Sequence, residues 1–291
     1  MSQFTHPSPL VAPHSAGDSA PAQAVPAGAC DCHMHLYDPV APYAPGPVLQ
    51  HTQASVADYQ RLQARLGLTR NVIVQPSSYG VDHQVLLAGL RAFGGTARGV
   101  AVVQPSVDEA ELSTLNEHGV VGVRFNLVQV GATTPEMLAP VAERVRPLGW
   151  HVQIHARSED LLALEARLLA LDMPIVIDHY ARVGTEPALT PHIIDTVRRM
   201  LATGRVWLKL SAPYIGAPGP QGDDMLGMFV RQLAADHLEQ LVWGTDWPHV
   251  TEATKPDDAL LMDVLPQWLT DQERRQILVD NPARLYSFGP R

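Results

Sequence analysis

The chain contains 291 residues and carries a formal net charge of −9. This acidic balance argues against nucleic acid or an anionic membrane surface as the main partner. No apolar run reaches the ~18–20 residues that a membrane span requires. The length fits either two ordinary domains or one large domain with a single core.

The cysteines and the N-terminal composition bear on location and domain organisation. Cys30 and Cys32 are the only cysteines, and a disulfide between residues i and i+2 would close a strained ring. We therefore expect free thiols and a cytoplasmic location. Residues 1–27 are rich in Pro, Ala and Ser and lack the basic start and the continuous apolar core that are typical of a secretory signal. They predict a flexible tail, part of which can lie over the body, before one folded domain at 28–291.

From residue 28 onward, short apolar segments alternate with segments of helical spacing. The predicted strands are 29–35, 71–75, 98–103, 120–126, 150–155, 174–179, 205–210 and 240–246, and the predicted helices include 57–66, 108–117, 158–171 and 223–235. Eight such units in roughly 260 residues are what a (β/α)8 TIM barrel requires. A doubly wound parallel sheet is the alternative, although no Gly-rich phosphate-binding motif follows an early strand.

Polar residues occur where the predicted strands end, which is where TIM barrels carry their active sites. In chain order they are His33, His35, Gln75, Arg124, Asn126, His155, His179 and Asp246, and His249 follows three residues later. A single histidine at such a place is usually a satisfied core group. Four of them with an aspartate on the last strand predict a common site, whereas the remaining histidines are expected on the surface.

The first strand contains both cysteines and two of the histidines. Alternation along a strand places Asp31, His33 and His35 on one face and Cys30 and Cys32 on the other. With the histidines directed into the barrel, we expect the cysteines to face the helices as small buried hydrophobic residues.

The polar set His33, His35, His155, His179 and Asp246 resembles that of the amidohydrolase superfamily. Within it, the segments "PAGACDCHMH", "GVVGVRFNLV", "PIVIDHYAR" and "WGTDWPH" are similar to the 2-pyrone-4,6-dicarboxylate lactonase branch, and similar stretches span about residues 26 to 287. The resemblance implies hydrolysis of a lactone, an internal ester, in the catabolism of aromatic compounds. It implies Asp246 as the general base for water, and His33, His35 and His179 as groups that polarise the carbonyl.

The substrate that this resemblance implies is a small anion, which local cations must hold within an acidic protein. Arg124 and Arg182 are the candidates, because guanidinium binds carboxylate in a bidentate manner. The further substrate-binding candidates are Gln75, Asn126, Tyr214 and His249. The lactonase branch clamps a dicarboxylate with basic loops, but here 45–53, 127–134 and 211–219 contain no Arg or Lys. A less charged lactone, such as a sugar-acid lactone, is therefore an alternative.

The use of a metal is a second departure from the lactonase branch, which works without metal and has a tyrosine where this chain has His155. His33, His35, His155 and Asp246 offer a ligand set for one divalent, zinc-like ion with an open water position. Metal-independent catalysis by the same residues stays open. No lysine ends the fourth strand ("RFN"), so a carbamate-bridged pair of metals is not expected.

Three other interpretations stay open on the same fold. The first is metal-dependent decarboxylation of an aromatic or enoic acid, and the second is isomerisation of a lactone. Related isomerases tend to lose part of the His-x-His pair and the strand-eight aspartate, which are both present here. The third is a non-catalytic binder of small acids, which the complete polar set disfavours. We expect a monomer or a homodimer.

Overall fold

The computed structural model describes residues 11–216 and 219–289, apart from the side chains of residues 220 and 221. Eight parallel strands form one sheet in sequential order. They are β1 (Cys30–Met34), β2 (Arg70–Val74), β3 (Ala97–Ala101), β4 (Val120–Asn126), β5 (His151–His155), β6 (Ile175–Ile177), β7 (Val206–Ser211) and β8 (Leu241–Gly244). A parallel bridge between Met34 and Trp247 joins β1 to the segment after β8. The predicted (β/α)8 TIM barrel is confirmed, and the doubly wound alternative is wrong.

Helices alternate with the strands and cover the outside of the barrel. They are α1 (Val56–Leu66), α2 (Gln84–Phe93), α3 (Glu109–Glu117), α4 (Leu138–Val145), α5 (Ser158–Leu169), α6 (Thr190–Leu201), α7 (Pro220–His237) and α8 (Asp258–Asp263), followed by α9 (Leu265–Trp268), α10 (Asp271–Arg275) and α11 (Asn281–Leu285). The ends of α1 show how sequence sets these bounds: Ser55 and Asp58 form a capping box, and Gly67 ends the helix in a left-handed conformation. Across the described residues, no helix combines the length and apolar character that crossing a membrane would require.

A β-bulge in β1 overturns the expected orientation of the two cysteines. Asp31 pairs with Asn71, but Met34 pairs with Ile73, so β1 carries one extra residue. Cys30 and Cys32 both point into the barrel, where they pack with Val72, Val74, Val100, Val176 and Val242. The extra residue resets the alternation, so that His33 also points inward. The prediction that the cysteines face the helices is therefore wrong.

Asp31 correspondingly faces outward, against α1, instead of sharing the side of the histidines. Its carboxylate accepts hydrogen bonds from the Tyr59 hydroxyl (3.0 Å), the Thr245 hydroxyl (2.6 Å) and the amides of Thr245 and His33 (2.9 and 3.0 Å). Burial raises the pKa of Asp31 to about 6, and these donors oppose that rise. Asp31 thus ties β1 to the segment after β8, immediately below the strand ends.

The N-terminal segment lies against the barrel over the part that the structure describes. The predicted flexible tail spans residues 1–27, of which residues 1–10 lie outside the described residues. Arg65 of α1 is 2% exposed. Its guanidinium donates to the carbonyls of Ala16 (3.1 Å) and Gly17 (2.6 Å), to the Ser15 hydroxyl (2.6 Å) and to Asp257 (3.3 Å). This buried arginine therefore fastens residues 15–17 to α1 and to the start of α8.

Replacing Arg65 should cost stability, because the charged hydrogen bonds of a buried group are lost. We expect Arg65→Ala to lower the free energy of unfolding by about 3 kcal/mol, measured by urea denaturation. Arg61→Ala is the matched control, since the Arg61 side chain lies on the same helix and is 58% exposed; it should change stability by less than about 0.5 kcal/mol. Equal losses in the two variants would show that the N-terminal contacts contribute no stability.

Candidate active site

The strand ends converge on the carboxylate of Asp246. Its Oδ1 atom lies 3.5 Å from Nε2 of His33, 3.4 Å from Nε2 of His35 and 3.9 Å from Nε2 of His179. The two β1 histidines, the histidine after β6 and the aspartate after β8 therefore form one buried cluster. All four were predicted as catalytic from the sequence, and the structure brings all four together.

Two of the imidazoles are oriented by hydrogen bonds on the side away from Asp246. Nδ1 of His35 lies 2.7 Å from the carbonyl of Val74, and Nδ1 of His179 lies 3.0 Å from the Ser211 hydroxyl. A carbonyl only accepts, so Nδ1 of His35 carries the hydrogen. Nε2 of His35 is then the nitrogen that faces Asp246, and a proton or a cation between the two atoms would stabilise this arrangement.

His33 rests on a buried polar network that the sequence analysis missed. Its Nδ1 atom lies 3.3 Å from Asp178 and 3.4 Å from Nζ of Lys209. Lys209 also contacts Asp178 (3.5 Å) and donates to Gln153 (2.7 Å), which in turn donates to Asp178 (3.0 Å). Burial alone would raise the pKa of Asp178, but Lys209 and His33 hold it well below its usual range. A lone lysine inside the apolar segment "RVWLKLS" was the available sequence signal.

The neighbouring histidines favour the ionised form of Asp246 despite its burial. Burial by itself would raise the pKa of this carboxyl, but His179, His35 and His33 around Oδ1 outweigh burial and hold the pKa well below its usual range. Burial lowers the pKa of His33 and of His179. The cluster therefore presents an anionic oxygen to a set of imidazole nitrogens, which suits proton transfer or the binding of a cation.

A left-handed turn carries His179 into the cluster. β6 ends at Ile177, two residues before the predicted strand end, and residues 179 to 182 all have φ between 51° and 55°. None of them is glycine, so each pays the steric cost of the left-handed region. The turn places the His179 ring over the strand ends and next to the His155 ring, with 4.7 Å between ring centroids.

A small cavity opens above this cluster, and its lining includes His35, Arg124, Asn126, His155, His179 and Asp246. Arg124 is the one Arg or Lys among the described lining residues. It is 4% exposed, one of its guanidinium nitrogens donates to the Gln75 carbonyl (3.2 Å), and its Nε is buried without a partner. The Asn126 side chain holds the loop after β4, because its oxygen accepts from the amides of Val128 and Gln129. The cavity thus combines one buried cation and the Asp246 carboxylate with neutral polar groups.

Other predicted site residues are engaged elsewhere. Gln75 donates to the carbonyls of Gly80 (2.7 Å) and Asp82 (3.1 Å), and its side-chain oxygen accepts from the Val102 amide (3.3 Å). Nη1 of Arg182 lies 3.3 Å from Nε2 of His155. None of Gln75, Arg182, Tyr214 or His249 belongs to the described cavity lining.

Part of the predicted metal-ligand set is arranged so that it could hold a single metal ion. Ligand atoms of His33, His35 and Asp246 all lie within 4.8 Å of one another, and so do those of His33, Asp178 and His179. Nε2 of His33 is buried and has no hydrogen-bond partner. Two imidazoles and a carboxylate are a common protein ligand set for catalytic zinc. His155 belongs to neither group, since its Nε2 faces the Arg182 guanidinium.

Comparison with known proteins identifies the family. The Amidohydrolase family model matches residues 30–288, which covers the whole barrel. The chain belongs to the amidohydrolase family. The predicted resemblance is thereby confirmed.

Among its relatives, this amidohydrolase is similar to lactone-processing enzymes. A 2-pyrone-4,6-dicarboxylate hydrolase of Comamonas testosteroni is 36% identical over 93% of this chain and 94% of its own length. A D-galactarolactone isomerase of Agrobacterium fabrum is 31% identical over 94% and 95%. A crystal structure of an Agrobacterium tumefaciens protein in its apo form superimposes with a TM-score of 0.83, 30% identity and coverage of 96% of this chain and 99% of the other.

The left-handed turn yields a prediction about stability. Ala181 has a φ of 54° and is 2% exposed, so Ala181→Gly removes a left-handed steric cost that offsets the greater flexibility of glycine in the unfolded chain. Ala142 is equally buried but lies in α4, where glycine should cost about 1 kcal/mol or more. We expect Ala181→Gly to be near neutral and Ala142→Gly destabilising in urea denaturation. Equal losses would contradict the left-handed assignment.

Proposed function

We propose that this amidohydrolase hydrolyses the lactone ring of a small carboxylated substrate, with Asp246 as the general base. One observation carries the proposal: the buried carboxylate of Asp246 lies among three imidazoles at the floor of a cavity that also contains a buried arginine. The named activities of relatives support it, since the Comamonas protein that is 36% identical is a hydrolase of a pyrone dicarboxylate.

The proposed reaction assigns a step to each part of the cluster. Arg124 binds a carboxylate of the substrate and so orients the ring. Asp246 accepts a proton from water through Oδ1 as the water attacks the lactone carbonyl. His179 and His35 lie beside that position and stabilise the developing oxyanion. The proton held by Asp246 then passes to the ring oxygen as the ester bond breaks, which yields the open hydroxy acid.

We further propose one divalent, zinc-like ion held by His33, His35 and Asp246. Such an ion, when bound, polarises the lactone carbonyl and lowers the pKa of a coordinated water. Support comes from the orientation of His35, whose Nδ1 contacts the Val74 carbonyl so that Nε2 faces Asp246, and from the buried, unpartnered Nε2 of His33. Asp178 behind His33 completes the carboxylate–histidine arrangement that orients a ligating imidazole.

The charge of the cavity bears on the substrate class. Arg124 is the one Arg or Lys in the described lining, and the neutral polar groups there are Ser77, Asn126, Gln129 and Thr251. The cavity therefore suits a substrate with one carboxylate and several hydroxyl groups. A sugar-acid lactone meets that description, and a pyrone dicarboxylate would need a second cation. The cytoplasmic location stays a prediction, which the two free buried cysteines support. The role in aromatic catabolism and the monomeric or homodimeric state also stay predictions.

Asp246→Asn tests the proposed base. The variant keeps the side-chain volume but cannot accept the proton, so we expect kcat on a hydrolysed lactone to fall by about 10³-fold or more with an unchanged circular dichroism spectrum. Asp236→Asn is the control, because Asp236 is exposed and pairs with Arg198 on the outside of the barrel; it should retain wild-type rates. Near wild-type turnover by Asp246→Asn would refute the assigned base.

The assay for these rates also separates the competing reactions. A panel of pyrone carboxylates and aldonic- and aldaric-acid lactones would be followed by proton release and product analysis. An opened hydroxy acid supports hydrolysis. A shifted lactone identifies an isomerase, carbon dioxide release identifies a decarboxylase, and saturable binding without turnover identifies a non-catalytic binder.

Elemental analysis tests the metal. We expect about one divalent ion per chain in the wild type and loss of that ion in His35→Ala, since one of three ligands is removed. His83→Ala is the control: His83 is buried and contacts Glu111 (3.0 Å) and the Val102 carbonyl (2.9 Å), away from Asp246, and should retain the ion. A metal-free wild type with full, chelator-insensitive activity would refute the metal and leave the imidazoles as the carbonyl-polarising groups.

A further inference from the structure

A second set of polar contacts surrounds Asp246 on the side away from the imidazoles. Its Oδ2 atom accepts from the hydroxyl of Tyr214 at 3.1 Å. That hydroxyl lies 2.8 Å from Nδ1 of His249, and Nε2 of His249 lies 3.1 Å from Asp258. Tyr214, His249 and Asp258 therefore form one continuous chain, which we name the Tyr214 chain, ending on the proposed base.

The hydrogen-bonding capacities fix the direction of the Tyr214 chain. An ionised Asp246 only accepts, so the single hydroxyl hydrogen of Tyr214 points at Oδ2. The hydroxyl oxygen is then free to accept from Nδ1 of His249, and Nε2 of His249 contacts the Asp258 carboxylate. The chain thus places the buried His249–Asp258 contact behind the tyrosine.

The positions of these residues make the chain a rigid support instead of a substrate contact. His249 and Asp258 are fully buried, and neither belongs to the described cavity lining. Tyr214 lies in the turn Pro213–Ile215 after β7, whereas His249 and Asp258 follow β8. Their neighbours hold them in turn: Lys255 donates to the His249 carbonyl (2.7 Å), and the Asp258 amide donates to the Ser15 hydroxyl (3.3 Å). The chain therefore joins two active-site loops and the N-terminal segment to one carboxylate oxygen.

We propose that Tyr214 is a positioning residue, which the His249–Asp258 pair holds in place. Its hydroxyl restrains Oδ2 of Asp246, so that Oδ1 is the reacting oxygen. This inference rests on the proposed function. Oδ1 is the atom that faces His33, His35 and His179. Without the hydroxyl, the carboxylate can rotate about the bond to its β-carbon and exchange its two oxygens. The sequence predicted Tyr214 and His249 as substrate-binding; this inference assigns them to the base instead.

Kinetics of Tyr214→Phe, Asp258→Asn and the double variant test this assignment on a hydrolysed lactone. We expect Tyr214→Phe to lower kcat by about 10- to 100-fold, since a misplaced reacting group costs about that much, with KM changed less than about twofold. Asp258→Asn should lower kcat less. The double variant should match Tyr214→Phe alone, because both changes act through one hydroxyl. A KM effect without loss of kcat, or multiplicative losses, would overturn the proposal.

Tyr79→Phe is the matched control. Its hydroxyl contacts only the backbone of Asp38 among the described hydrogen bonds, as acceptor at 2.9 Å and donor at 3.2 Å, so kcat should stay at the wild-type value. Comparable loss of kcat in Tyr79→Phe would show that removal of any nearby hydroxyl suffices, and would overturn the assignment.

A crystal structure of Tyr214→Phe separates this inference from the proposed function, because it needs no turnover. We expect the Asp246 carboxylate to be rotated or to occupy two orientations, while His249 and Asp258 remain in contact. A carboxylate unchanged from the wild type would refute the positioning role even if the lactonase activity is confirmed. A rotated carboxylate in a protein without lactonase activity would keep the positioning role and refute the proposed function.

Discussion

The interaction on which the site depends is the solvation of one buried anion, the Asp246 carboxylate, by side chains from around the barrel. Removing a carboxylate from water is costly unless polar groups replace the lost water. Here three imidazole rings surround one oxygen, and a tyrosine hydroxyl donates a hydrogen bond to the other. The contacts that favour the charged form of Asp246 also fix the orientation of its carboxylate. The same interactions therefore stabilise the buried charge and prepare it for the proposed reaction.

The barrel achieves this convergence through local departures from regular structure. The bulge in β1 turns His33 towards the interior after two inward-facing cysteines. A left-handed turn brings His179 over the strand ends, and Asp246 itself has a φ of 68°. Irregularities of this kind cost free energy, and they persist only where the surrounding contacts impose them. Asp31, which binds β1 to Thr245, is one of those contacts.

Support for the site extends well below and beside the cavity. Lys209 and Asp178 form a buried ion pair beneath His33, and Arg65 fastens the N-terminal segment beside α8, where Asp258 begins the helix. A segment with the composition of a mobile tail thus packs against the loop that follows the proposed base. The packing combines satisfied backbone carbonyls and a buried guanidinium with apolar contacts of Ala12 and Val25 against the core.

The sequence by itself determined the barrel, the strand ends and the cluster of His33, His35, His179 and Asp246. Alternating apolar segments specify parallel strands, and parallel strands bring their carboxyl ends together whatever the details of packing. Only the tertiary structure decided which face each β1 residue takes, that His155 pairs with Arg182, that Gln75 serves the backbone, and that Lys209 and Asp178 lie under the site. The physical reason is that one inserted residue reverses strand alternation, and that hydrogen-bond partners distant in sequence are chosen by geometry, which residue spacing does not encode.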